Sequence, residues 1–370
     1  MLQVEVKDEV RAGCCPRLTR YQLIGLVFIL SSSLIYMISI RVSEHWVRVR
    51  ASSRTSSLVC ASYIAHQRLA TVYTHVNSPG DRRGHLTFEP NASRHSYFPS
   101  ALVIGARKAG TRALLRFINL HPDVVISAKE LHYFDSFYEK SFDWYRRQMP
   151  LSLPHQLTIE KTPNYFVDLN VPKRVYHFNP SIKLILVVRN PIDRAVSDYV
   201  QLKFKLMKKQ QKKRLENGTI FSFGDFEDYI FVENTSEVNK SYAPIKRSLY
   251  SCHLERWLTY FRLSQILVVD GENLKVKPWE ETQKVETFLH LQHQVKRDQF
   301  VYNQTKRFFC IKGESKLGHD LHLTSPRCLA DSKGRQHPKL RHGTRKILRN
   351  FFQPFNSRFF SRIGRKFNWS

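Results

Sequence analysis

The chain has 370 residues, 42% of them hydrophobic, enough for a sizeable core in one large domain or two small ones. Its 59 Lys and Arg against 31 Asp and Glu leave a formal charge of +28; the first 98 residues hold 12 basic and 6 acidic residues, and the remainder 47 and 25. A body this basic argues against a cationic partner and for a polyanion: nucleic acid, an anionic membrane or a sulfated polysaccharide.

In chain order, residues 1–20 form a short tail with Lys7, Arg11, Arg17 and Arg20. Cys14 and Cys15 at its end are either unmodified thiols or S-palmitoylation sites. Residues 21–40, YQLIGLVFILSSSLIYMISI, carry no charge over 20 positions, the length that spans a bilayer core of ~30 Å. No small-residue cleavage site follows, and Arg41 closes the run. Arg41, Arg48, Arg50 and Arg54 balance the tail, so charge does not orient the span. The sequons do: Asn91, Asn217, Asn234, Asn239, Asn303 and Asn368 all follow it. The expectation is a type II single-pass membrane protein with a cytoplasmic tail and a glycosylated lumenal body, which removes nucleic acid as a partner. Residues 41–96, rich in Ser, Arg and His and containing NSPGDRRGH at 77–85, read as a stem. Cys60 within it has no evident partner.

The body, 97–370, opens with ALVIGARKAGTRALLRFI at 101–118, an apolar run, a glycine-containing loop and a helical pattern. Gly105 and Gly110 have the P-loop separation, but Thr111 follows directly and the lysine, Lys108, comes early. The dinucleotide fingerprint fails as well. A loop opening a helix still holds a phosphate by backbone N–H groups, helix dipole and the Thr111 hydroxyl, and by itself it fits a structural turn equally well. Further apolar runs at 123–127, 157–161, 183–189 and 265–271 have the length and β-branched content of buried strands. Helical patterns lie between them at 111–120, 171–178, 191–209, 249–261 and 278–291, with Pro172, Pro191 and Pro278 near helix starts. This alternation predicts an α/β body with a central parallel sheet flanked by helices. The polar stretch 203–247 is too long for a connection and reads as an excursion from the sheet.

VVRNPIDRAVSDY at 187–199 puts Arg189 at a strand end and Ser197 two turns into the next helix, a second phosphate grip. Two grips on neighbouring βα units suit a nucleotide with separate 5′ and 3′ phosphates, such as the sulfate donor PAPS (3′-phosphoadenosine 5′-phosphosulfate). Cys310 and Cys328 enclose a loop in a compartment read as oxidising, so a disulfide is expected, stabilising by roughly 3 kcal/mol in the chain-entropy model. Cys252 has no evident partner.

Residues 99–370 resemble the heparan sulfate glucosamine 3-O-sulfotransferases, in motif order. KAGTRALL is similar to that family's 5′-phosphosulfate loop, RNPIDRAVSDY to its 3′-phosphate site, KELHYFD (129–135) and EKTPNYF (160–166) to its catalytic segments, and CLADSKGRQHP (328–338) to its nucleotide-covering loop. Ala109 stands where the family has glycine, and Phe309 where a tyrosine is common. The resemblance implies a P-loop-like sulfotransferase fold, a Golgi membrane location, PAPS as donor and no required metal. It assigns Glu130 as base, with His132 and Asp135 tuning it and Lys108 and Lys161 flanking the sulfuryl group. It gives the donor Lys108, Ala109, Gly110, Thr111, Arg112, Arg189, Ser197, Phe309, Lys333, Gly334, Arg335, Gln336 and His337. The acceptor sugar takes Arg112, Glu130, Lys161, Thr162, Asn164 and Gln201. Ala128 and Ala330 stand where relatives making the antithrombin-type site have an acid and a histidine, which implies an open cleft.

The alternatives are N- or 6-O-sulfation of heparan sulfate, decided by product disaccharides, and a catalytically silent heparan-binding membrane protein, disfavoured by the intact Lys108, Glu130, Lys161, Arg189 and Ser197. The run 203–214, KFKLMKKQQKKR, has seven basic residues in twelve. It reads either as a solvated helix extension or as a wider polysaccharide track.

Overall fold

The computed structural model describes residues 93–217, 223–312, 328–329 and 335–369, all within one compact unit, Arg83–Ser370. The span at 21–40, the tail, nearly all of the stem, Cys14, Cys15, Cys60, Asn91, Ala330, Lys333 and Gly334 lie outside the described residues. Among those described, no helix is long and apolar enough to cross a membrane.

The strands are β1 (His95–Ser96), β2 (Ala101–Gly105), β3 (Val124–Ile126), β4 (Leu151–Ser152), β5 (Leu157–Lys161), β6 (Lys183–Val188), β7 (Ile266–Asp270), β8 (Phe300–Asn303) and β9 (Phe308–Ile311). Five of them form one sheet in the order β3-β5-β2-β6-β7, with every pair parallel. β2 is buried along its whole length and β6 nearly so, which is why both read as unbroken apolar runs. From β2 the chain moves outward to β3 and β5 on one side, and later to β6 and β7 on the other. The crevice of such a sheet opens at the carboxyl ends of the two strands where direction reverses. Here these are β2 and β6, so the loop after β2 and the segment after β6 face each other.

The longer helices are α1 (Thr111–Ile118), α2 (Val171–Phe178), α3 (Pro191–Asn217), α4 (Tyr250–Leu258), α5 (Pro278–Phe288) and α6 (His342–Ile363). The main core packs around the sheet, with Leu102, Ile104, Leu114, Ile159, Phe166, Leu186 and Trp257 all buried. A second core joins Ile192, Val196 and Tyr199 of α3 to Phe226, Ile230, Ile245, Leu348 and Phe352. The stretch read as an excursion from 203 is therefore first a continuation of α3, to Asn217, and only its later part, 223–249, returns to cover that helix.

Cys310 and Cys328 form the expected disulfide, and Cys252 is a free, half-buried thiol. Among the described sequons, Asn234 and Asn368 are exposed. The side chain of Asn239 accepts from the backbone of Ser241 and Tyr242, and that of Asn303 from Lys306.

At the end of β7 the amide of Gly271 donates to the Val188 carbonyl at 2.7 Å. A Cβ on Gly271 would stand 2.3 Å from the Ala109 carbonyl oxygen and 2.8 Å from that of Val188. Both obstacles are backbone, so nothing can rotate away. Gly271→Ala is expected to push the loop after β2 outward and to lower stability by about 1–3 kcal/mol. Urea unfolding measures this, and an unchanged midpoint would contradict the packing described.

Candidate active site

A cleft of about 850 Å³ opens over the carboxyl ends of β2 and β6, walled by the 107–112 loop, Glu130, Lys161, Arg189, Ser197, Gln201, the 306–309 turn and 335–337. Its first wall is the loop between β2 and α1. Gly110 has φ 118°, a conformation that favours glycine, and it starts α1 while its carbonyl accepts from Ala113 and Leu114. Lys108 is left-handed at φ 71°. These two residues turn successive backbone amides toward the cleft end of α1, where a helix dipole favours an anion. Thr111, the first helical residue, is buried but reaches the cleft. The loop is pinned from behind, because Ala106 N–H donates to the Val187 carbonyl at 2.7 Å.

The second wall is the start of α3. Asn190 caps the helix through its side chain, which accepts from Ile192 N–H at 3.0 Å, and Pro191 follows as the first helical residue. Arg189 is held by Glu272, whose carboxylate accepts from Nε at 3.1 Å, and its carbonyl accepts from the Tyr250 hydroxyl. Ser197 sits on the buried face of α3 with its edge in the cleft. Burial and the neighbouring Arg189 charge hold the His337 imidazole below its ordinary range.

Asp198 joins these two walls. Its carboxylate is fully buried and accepts from Arg107 Nε at 2.6 Å, Arg194 Nη1 at 3.2 Å and Arg247 Nη1 at 3.1 Å. Arg194, also fully buried, donates to the Arg107 carbonyl at 3.1 Å and to the Ser248 hydroxyl at 2.6 Å. Burial alone would raise the Asp198 pKa, but the three guanidinium groups outweigh it and hold it at about 2. Neither residue was singled out in the sequence. The signal was present: Arg and Asp four apart on a helix face among Ala195, Val196 and Tyr199 must be buried together.

The third wall carries the carboxylate. Glu130 Oε1 is bonded to the Lys161 ammonium, which lies at the buried end of β5. Glu130 Oε2 lies 3.8 Å from His132 Nε2, and His132 Nδ1 lies 2.9 Å from the nearly buried Asp135, which also accepts from Asn164 Nδ2 at 2.8 Å. Asp135, His132 and Glu130 thus form a line from the interior to the cleft. Burial pushes the Glu130 carboxyl up, but the bonded Lys161, with His132 and Arg112, outweighs burial and holds it below its ordinary range.

Thr162 departs from the expectation that it touches the acceptor. It is fully buried, donates to Glu160 and accepts from His132 N–H at 3.3 Å, so it positions the 130–134 segment from beneath. Glu160, also missed, is completely enclosed and is raised to about 7 by burial, against the hydrogen bonds from Thr162, Leu131 and Tyr165. Gln201 accepts from Arg335 Nη1 at 3.0 Å across the cleft mouth. Phe309 stands edge-on to Trp279 and Tyr302, at 5.4 and 5.2 Å. Lys306 and Arg307 of the β8–β9 turn also line the cleft; no motif pointed to them. Among the described residues no three His, Cys, Asp or Glu side chains gather as metal ligands do.

Residues 98–364 match the family described as a sulfotransferase domain. The chain is 43% identical over 273 residues to human heparan sulfate glucosamine 3-O-sulfotransferase 5, covering 73% of this chain and 74% of the relative. It is 40% identical over 294 residues to human heparan sulfate glucosamine 3-O-sulfotransferase 6, covering 80% and 79%. Among solved structures, a sulfotransferase from Alicyclobacillus acidocaldarius aligns with TM-score 0.52 and 20% identity over 73% of this chain and 98% of that one. That likeness concerns the fold alone.

Two of the buried carboxylates, Asp198 and Glu160, have opposite pH signatures. Asp198, depressed to about 2 from 3.8, contributes stability above the unfolded pKa that is lost as pH falls from about 4 toward 2. Glu160, raised from 4.5 to about 7, takes stability away as pH rises across that interval. Asp198→Asn is therefore expected to cost about 3–5 kcal/mol at neutral pH, with the deficit shrinking below pH 4. Glu160→Gln should gain on the wild type as pH rises from 4.5 to 7. Chemical unfolding across pH tests both, and differences flat in pH would contradict the assignment.

Proposed function

The chain belongs to the sulfotransferase-domain family, among the heparan sulfate glucosamine 3-O-sulfotransferases, and from that premise we propose how its cleft works. The protein transfers the sulfuryl group of PAPS to the 3-hydroxyl of a glucosamine residue in heparan sulfate. One observation carries the reading: the Glu130–Lys161 pair faces the same cleft as the loop at Lys108 and the Arg189–Ser197 pair.

The donor set fits a nucleotide with phosphates at two places. The amides after Lys108, the Gly110 backbone and the Thr111 hydroxyl suit the 5′ end, and the Arg189 guanidinium with the Ser197 hydroxyl suits the 3′-phosphate. Phe309 offers a ring for the base, and Arg335, Gln336 and His337 close one side. The bound donor supplies a sulfuryl group attached to a phosphate that leaves readily. Glu130 accepts the proton of the attacking hydroxyl as the oxygen–sulfur bond forms, which demands that the carboxylate be ionised. Its depressed pKa secures that form. Asp135 fixes His132 through Nδ1, and His132 in turn holds the second Glu130 oxygen toward the cleft. Lys161 and Lys108 neutralise the charge that grows on the bridging oxygen as its bond to sulfur breaks and it leaves with the 5′-phosphate. Arg112, Asn164 and Gln201 line the acceptor side.

The same reading places the body in the Golgi lumen on a single type II membrane helix. It is supported by the uncharged 21–40 run, by six sequons following that run, and by a disulfide of the kind that oxidising compartments allow.

Two variants separate the roles. Glu130→Gln keeps shape and hydrogen bonding but cannot take a proton, so turnover should fall 10²–10⁴-fold with nucleotide affinity nearly unchanged. Arg189→Ala should weaken nucleotide binding first. Measuring sulfuryl transfer and nucleotide affinity for both decides the matter, and near-normal turnover in folded Glu130→Gln would remove Glu130 as base.

A further inference from the structure

Helix α3 runs for 27 residues, and only its first part is needed by the fold. Ala195, Val196 and Tyr199 are buried, whereas Leu206 and Met207 are 42% and 56% exposed. An extension that leaves its apolar side chains in water is not there to close a core. What it carries is charge: seven basic residues over 203–214, and no acidic residue before Glu216. Lys203 pairs with Asp225 at 3.8 Å; among the described residues no carboxylate pairs with Lys205, Lys208 or Lys209.

The extension is continuous with the cleft. Gln201 and Lys205 are part of the cleft wall, and Lys208 follows on the same face one turn farther out. Lys208 Nζ lies 4.9 Å from the Phe204 ring centroid, and the Arg335 guanidinium lies 3.9 Å from the same ring while donating to Gln201. Two cations gathered on one aromatic ring, at the mouth of the cleft, form a place where an anion relieves repulsion. From Gln201 the helix continues about 12 Å to Lys209 at 1.5 Å per residue.

We propose that the acceptor polysaccharide is gripped outside the cleft as well as in it, along α3 beyond Lys205, by Lys208 and Lys209. The occupant is the flanking length of the same sulfated chain whose glucosamine lies at Glu130, so the inference rests on the reading of the protein as a heparan sulfate sulfotransferase. Each exposed cation is weak at physiological salt. The extension works by adding contacts to a chain already held and by releasing its condensed counterions, which makes its contribution depend on acceptor length and on salt.

The test uses the full-length protein and the double variants Lys208→Ala/Lys209→Ala and Lys208→Glu/Lys209→Glu, assayed with a heparan sulfate hexasaccharide and with long heparan sulfate. The alanine pair should raise KM for the long acceptor about tenfold and lower the slope of log KM against log salt by about 1–2, and the glutamate pair should do so more strongly. The KM for the hexasaccharide, kcat and PAPS affinity should be unchanged. Equal effects on both acceptors, or none on either, would overturn the proposal. So would a loss of binding to phosphatidylserine vesicles with the length preference intact, since that assigns the helix to a membrane surface. Direct titration with long heparan sulfate needs no turnover: a wild type that transfers to neither acceptor sinks the enzymatic reading, while the titration still judges the extension.

Discussion

The cleft depends on one buried carboxylate. Asp198 receives Arg107 from the loop after β2, Arg194 from its own helix and Arg247 from the segment that covers that helix. Hydrogen bonding between β2 and β6 delivers two phosphate-binding ends side by side to the same crevice, but it does not hold the 107–110 loop against α3. The Asp198 cluster does, through Arg107 and Arg194. Taking these charges out of water costs several kcal/mol per ion before any attraction is counted, so such a cluster is a poor source of net stability. Its value is geometric, since three fork-shaped guanidinium groups around one carboxylate leave the loop and α3 few relative positions. Gly271, pressed against the Ala109 carbonyl, limits the loop from the opposite side.

In the proposed mechanism the Glu130–Lys161 pair presents a tension. A carboxylate bonded to an ammonium is securely ionised and correspondingly weak as a base, and Glu130 lies below its ordinary range for that reason. Lys161 is nearly buried and cannot swing far. In the proposed mechanism, anionic oxygens of the donor beside Lys161 would draw on the same ammonium and raise the basicity of Glu130. Glu160, enclosed one residue before Lys161, and Thr162, one after, support the 130–134 segment from beneath.

Much of this was legible in the residues. The central strands β2 and β6 were readable because burial on both faces makes them unbroken apolar runs, and β3, β5 and β7 because they are short and β-branched. The motifs at 108–112, 130–135, 161–164 and 189–201 come together in one cleft. The C-terminal helix α6 was not readable, because Pro354 lies inside it and basic residues interrupt its apolar face. The β8–β9 hairpin was missed because its strands have four residues each, too short for a period to emerge. Glu160 could have been found: in a strand buried on both sides, an acidic residue between Ile159 and Lys161 has nowhere to face but the interior. The burial of Thr162 was not legible, because a motif resemblance does not say which side of the segment each residue faces.

The central claim is that this cleft brings PAPS and a heparan sulfate glucosamine together so that Glu130 activates its 3-hydroxyl. It is tested most directly by incubating the full-length protein with labelled PAPS and heparan sulfate, degrading the product to disaccharides and locating the label. The account predicts label on the 3-oxygen of glucosamine; label on nitrogen or on the 6-oxygen, or no transfer by folded protein that binds PAPS, would contradict it.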